Sequence, residues 1–139
     1  MNRSTIALFA TLLFSGTLMA EPMVVIVNLK NETKSLTKER VASYYLGEEK
    51  SWIGGLPVRL LDLPADSAER ATFAKEVLGK SVQQLRDLWA QNELSGKASP
   101  PKELASDAEV KKMVSESRAA IGYIKASSLD DTVKLAITL

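Results

Sequence analysis

Five consecutive apolar residues, Met23-Val24-Val25-Ile26-Val27, constrain this chain more than any other feature of it. Branching at Cβ stiffens a side chain and suits it to a pleated strand. A strand with one wet face alternates apolar and polar residues, so an unbroken run must be covered on both faces. Pro22 and the polar stretch from Asn28 to Lys34 bound the run. It is therefore expected to be the first parallel strand of a sheet flanked by helices.

The rest of the chain supplies the helices. Thr37 is placed to cap one that carries Val41, Tyr44, Tyr45 and Leu46 on a single stripe, and Gly47 to end it in a left-handed conformation. After Trp52, Ile53 and the Gly54-Gly55 turn, Pro57 to Leu63 has the pattern of a second strand, interrupted by Arg59. Asp66 and Glu69 form a D-x-x-E variant of the capping box, opening a helix with Phe73, Val77 and Leu78 that closes at Gly79. Ser81 with Gln84, and Ser106 with Glu109, repeat the device for helices carrying Val82, Leu85, Leu88 and Trp89, and then Val110, Met113 and Val114. Between them, Gly96 and Pro100-Pro101 make Leu94 to Leu104 a surface loop. Ala120 to Ile124 and Val133 to Leu139 are strand-like. Strands alternating with helices imply an α/β domain with a mostly parallel sheet.

Residues 1–20 carry a different pattern: Arg3, then an uncharged stretch with Ile6, Leu8, Phe9, Leu12, Leu13 and Phe14, then Gly16 and the small Ala20. This is the layout of a secretory signal peptide, with cleavage expected before Glu21 and a periplasmic mature domain over 21–139. The alternative, an uncleaved anchor, has an apolar core short of the roughly 20 residues that span a bilayer. No later apolar run approaches that length, so no membrane span is expected after cleavage. Losing Arg3 takes the formal charge from +1 to about neutral, which favours neither nucleic acid nor an anionic membrane as partner.

The chain contains neither His nor Cys. That removes imidazole bases, thiolate nucleophiles, disulfides, a lipoprotein anchor and the usual zinc or copper ligands together. There is no G-x-S-x-G elbow and no spaced carboxylate cluster with a metal signature. The expectation is a protein that is not an enzyme and uses no metal or cofactor.

In order along the chain, Leu36-Thr37, Val41, Tyr44-Tyr45-Leu46-Gly47 and Trp52, then Arg70-Ala-Thr-Phe73, Val77-Leu78-Gly79 and Trp89, then Gly96, Pro100-Pro101, Leu104 and Ala120-Ile121-Gly122-Tyr123-Ile124 resemble the phosphate-type periplasmic solute-binding proteins of ABC transporters. The resemblance covers nearly all of the chain after residue 20. It implies one lobe of a periplasmic-binding-protein-like fold, beginning near a hinge strand at Val24 to Asn28. In that family the strand after the Trp leads into a Ser-Gly-Ser-Gly-Thr-Thr-like turn at a helix N-terminus, where hydroxyls, N–H groups and an Arg hold the anion. The matching stretch here, Asp62 to Arg70, lacks the glycines and has Leu63 near the place of that Arg.

Ser67, Arg70 and Thr72 are the polar groups left to bind a ligand there. A helix N-terminus offers free N–H groups and positive potential. Asp66 and Glu69 oppose an anion: each carboxylate about 6 Å away repels it by roughly 3 kcal/mol at an effective dielectric near 20. Plain structural roles stand beside these: Arg70 pairing with Asp66 on an exposed helix face, Trp52, Trp89, Tyr44 and Phe73 packing in the core, and Gly96-Lys97 making a turn. Arg59 and Lys97 are candidates for minor contacts. Two functions follow from the resemblance. One is recognition of phosphate or another small oxyanion for uptake through a membrane permease. The other is a single-lobe adaptor or sensor subunit that binds a membrane partner and no longer binds phosphate.

Overall fold

The structure is a computed structural model and describes residues 21–139; the signal-peptide pattern of residues 1–20 lies outside the described residues. In chain order the elements are β1 (Met23–Val27), α1 (Lys38–Tyr45), β2 (Arg59–Asp62), α2 (Ala68–Leu78), α3 (Val82–Leu94), β3 (Lys102–Glu103), α4 (Asp107–Glu116), β4 (Ala120–Lys125) and β5 (Lys134–Thr138). The strands form a five-stranded sheet in the order β3-β2-β4-β1-β5.

β2 runs parallel to β3 and to β4, whereas β1 runs antiparallel to β4 and to β5. β2, β3, β4 and β5 therefore all point one way, which makes the sheet mostly parallel, and β1 alone runs against them. The expectation of β1 as a parallel strand is corrected here. Its apolar run reported coverage of both faces, and all five of its residues are buried, but burial carries no information about direction.

The two layers follow from alternation along β4. Gly122 faces α4 so closely that a Cβ there would stand 2.5 Å from Val110 Cγ1. Its neighbour Tyr123 points to the opposite face and stacks on Phe73 of α2, with ring centroids 3.9 Å apart. Tyr45 of α1 packs edge-on to Phe73 at 4.9 Å. Phe73, Leu85 and Trp89 are buried, as the helical spacing predicts, and so are Tyr44 and Trp52. Three aromatic tips in this core find partners: Tyr45 Oη donates to Leu61 O at 2.6 Å, Trp52 Nε1 to Ala119 O at 2.9 Å and Trp89 Nε1 to Tyr45 O at 3.2 Å.

Thr37, Ser81 and Ser106 cap α1, α3 and α4, and Ser81 with Gln84 completes a reciprocal capping box. α2 departs from its expected start. Its N-cap is Ser67, whose hydroxyl accepts from Arg70 N at 3.2 Å and donates to Pro64 O at 2.7 Å. Asp66 lies exposed one residue outside. The Leu94–Leu104 loop contains the short edge strand β3, paired with Leu61 and Asp62 of β2. No helix among the described residues is long and apolar enough to cross a membrane.

Candidate functional site

The C-terminal end of β2 delivers Asp62 to the face covered by α2, and the turn from Leu63 to Ser67 leads straight into that helix. Asp62 Oδ1 accepts from the Tyr123 hydroxyl and from Leu63 N at 3.0 Å. Its Oδ2 lies 3.5 Å from Arg70 Nε. Burial pushes the Asp62 carboxyl up, while the Tyr123 hydroxyl, the Arg70 guanidinium and the Leu63 N–H pull the other way. The Tyr123 hydroxyl is pushed far up, first by burial and then by the Asp62 charge beside it, so it stays neutral and donates.

Arg70 is one turn into α2, and its guanidinium folds back over the helix start. Nη1 donates to Leu63 O at 3.1 Å and to Glu103 Oε2 at 3.1 Å. The other Glu103 oxygen accepts from Ala65 N at 3.3 Å. Arg70 and Asp62 keep 13% side-chain exposure, Glu103 52%. Arg70 thus pairs with Asp62 and Glu103, not with Asp66 on an exposed helix face. Glu69 points elsewhere, to Lys125 Nζ at 3.1 Å, and its carboxyl is lowered by its own backbone N–H and by that lysine.

Among the three candidate ligand residues, Ser67 and Arg70 converge at the helix start, and both are engaged within the protein. Thr72 does not join them; it lines a separate groove with Lys38, Glu76 and Leu139. The expectation that Asp66 and Glu69 are the carboxylates facing this corner is corrected: Asp62 and Glu103 face it. Asp62 was visible as the polar end of a strand, but nothing in the spacing of Glu103 pointed to it. Among the described residues no group of three or more His, Cys, Asp or Glu is arranged to hold a metal ion.

Two other features stand out. A cavity of about 200 Å³ beside the guanidinium, between α2, α3 and the Pro100-Pro101 turn, is lined by Arg70, Arg86, Trp89 and Glu103 among others. At the far end of the sheet a cavity of about 380 Å³ is flanked by Trp52, Ile53, Leu56, Asn31 and Arg118. Ile53 is 87% exposed and Leu56 is 46% exposed, at either end of the Gly54-Gly55 turn.

No family model matches the sequence. The fold is that of known solute-binding proteins. An ABC-type phosphate transport receptor from Vibrio cholerae superimposes with a TM-score of 0.66 at 21% identity, over 84% of this chain and 45% of that one. PstS from Borrelia burgdorferi superimposes with a TM-score of 0.64 at 15% identity, over 84% of this chain and 46% of that one. The chain spans less than half the length of these neighbours, and the likeness establishes the shared fold.

Proposed function

We infer that this protein is an exported, solute-binding-like module that acts as an adaptor or sensor subunit for a membrane partner, and that in its resting state it does not hold free phosphate. The observation that carries this is the engagement of Arg70 within the protein, through two hydrogen bonds from Nη1 and an ion pair to Asp62. Its guanidinium is occupied by Leu63 O, Asp62 and Glu103, and the hydroxyl of Ser67 is spent on Arg70 N and Pro64 O. A phosphate at this corner would have to displace partners that are already bound and partly buried, with two carboxylates still nearby.

Docking onto a protein is supported by the Ile53–Leu56 tip. Ile53 stands almost fully exposed on a glycine turn beside a cavity, with the half-exposed Leu56 next to it. Export is supported by residues 1–20. The alternative of oxyanion delivery to a permease draws on the neighbours' fold and on the Arg70 guanidinium, whose Nε makes no hydrogen bond and lies 3.5 Å from Asp62 Oδ2.

Two measurements test this together. Calorimetric titration of the 21–139 protein with phosphate should give no saturable heat up to about millimolar concentration, near the weak end of specific binding. A photo-crosslinking residue at position 53, introduced in cells, should give a discrete adduct with one protein, and the same residue at exposed Glu116 on α4 should not. Tight phosphate binding by the wild type, or the absence of any position-53 adduct, overturns the adaptor assignment.

A further inference from the structure

The cavity of about 380 Å³ at the far end of the sheet has walls that are held in place before any partner arrives. Its floor is the buried Trp52, whose indole N–H is fixed on Ala119 O at 2.9 Å. Its lip is the Ile53–Leu56 turn, closed by Trp52 N donating to Leu56 O at 2.8 Å and Gly55 N to Trp52 O at 2.9 Å. Gly54 and Gly55 take φ of 101° and 95°, which glycine adopts without steric cost, so the turn is tight and holds Ile53 out in solvent. A further wall is the buried Asn31, whose amide donates to Arg118 O at 3.2 Å and whose side-chain oxygen accepts from Thr33 N at 2.9 Å. We propose that this cavity takes an apolar side chain of a protein partner that presents Asp or Glu beside it. The proposal rests on the adaptor reading and names the chemistry of the partner.

Charge selects the partner. Arg118 lines the cavity, and Lys134 Nζ donates to Asn31 O, which brings its ammonium group to the same wall. On the segment that supplies Asn31, Glu32 and Thr33, Lys30 and Lys34 stand to either side of the Glu32 carboxylate. Lys30, Lys34 and Arg118 are exposed, and among the described residues none of these cations forms an ion pair. Positive groups therefore outweigh Glu32 in this wall, on a chain whose acidic and basic residues otherwise nearly balance. Such a local field draws in a carboxylate and repels a basic partner.

Shape favours a protein over a lipid surface. A bilayer is met by protruding groups, whereas here a concavity pinned by hydrogen bonds lies beside the protruding Ile53. Its volume has room for an apolar side chain, which would rest on the Trp52 floor and against Ile53 and Leu56 at the lip. Covering Ile53, which is 87% exposed, supplies the apolar burial, and the cations supply register and rate of encounter.

The test uses the whole chain in cells, with a photo-crosslinking residue at position 53 and second changes in the wall, each variant checked by its thermal melt. Arg118→Glu should lower the yield of the position-53 adduct at least about tenfold, because it sets a like charge against the partner's carboxylate. The double variant Lys30→Glu with Lys34→Glu should lower it as well, and it leaves Arg118 in place if Arg118→Glu does not fold. Glu32→Gln should keep or raise the yield. The partner peptide joined to position 53, sequenced by mass spectrometry, should contain Asp or Glu, and replacing that residue by Lys in the partner should restore the adduct to Arg118→Glu. Undiminished adduct in the folded charge-reversal variants, a loss confined to Glu32→Gln, or a partner peptide without carboxylates overturns the acidic partner and leaves the adaptor assignment standing. Absence of any adduct without the second changes overturns both, and sedimentation of the 21–139 protein with vesicles of phosphatidylethanolamine and phosphatidylglycerol would then identify a lipid surface as the occupant.

Discussion

Asp62 is the residue on which the corner turns. Buried carboxylates resist ionisation, and this one keeps its charge tolerable through the Tyr123 hydroxyl, the Leu63 N–H and Arg70. Because burial leaves its folded pKa above the ordinary carboxylate value, the folded state binds the proton more readily than the unfolded chain does. Its contribution to stability is thus fully present below the unfolded pKa and is lost as pH rises through the folded pKa. Asp62→Asn should remove that dependence. The melting temperature of the wild type relative to the variant should move in the wild type's favour as pH falls from about 7 to about 4. The reverse trend in paired thermal melts would mean that Arg70 and Tyr123 outweigh burial.

At the scale of elements, the start of α2 decides what surrounds Arg70. With Ser67 as N-cap, the first turn is fixed by a hydroxyl, and Glu69 is free to reach Lys125. Ser67→Ala should cost about 1 kcal/mol of unfolding free energy, the usual loss for a serine cap. Asp66→Ala, at an exposed position that caps nothing, should stay within about 0.5 kcal/mol of the wild type. Denaturant unfolding of the two variants distinguishes them, and a larger loss for Asp66→Ala would restore the D-x-x-E cap. α3 shows the contrast: Ser81 and Gln84 make their box in the predicted register, with Gln84 Oε1 accepting from Ser81 N at 2.9 Å. Both registers at α2 present an acceptor three residues before a plausible N3, and local spacing alone does not choose between them.

At the largest scale, residues 21–139 fold around one α/β sheet, with α4 against one face and α1 and α2 against the other. For its residence, cleavage before Glu21 is the expectation with the sharpest readout. Intact-mass analysis of the protein released from the periplasm without detergent should give the 21–139 mass, whereas a full-length chain in the membrane fraction would refute export by a cleaved signal. The adaptor assignment depends on that residence, since a sensor or permease partner is met at the membrane.

What depends on neighbours close along the chain was legible in the residues: the burial of β1 from its apolar run, the helices from their caps and stripes, the aromatic core from Tyr44, Trp52, Phe73 and Trp89, and the absence of His and Cys chemistry. The direction of β1 and the partners of Arg70 emerge only once the chain is packed. Strand direction depends on which strands are paired, and an isolated apolar run is the same read from either side of a sheet. The pairs at the site join residues 33 positions apart, for Arg70 and Glu103, and 61 apart, for Asp62 and Tyr123. No periodicity spans such distances. Folding the Pro100-Pro101 loop back onto β2 places Glu103 on the guanidinium.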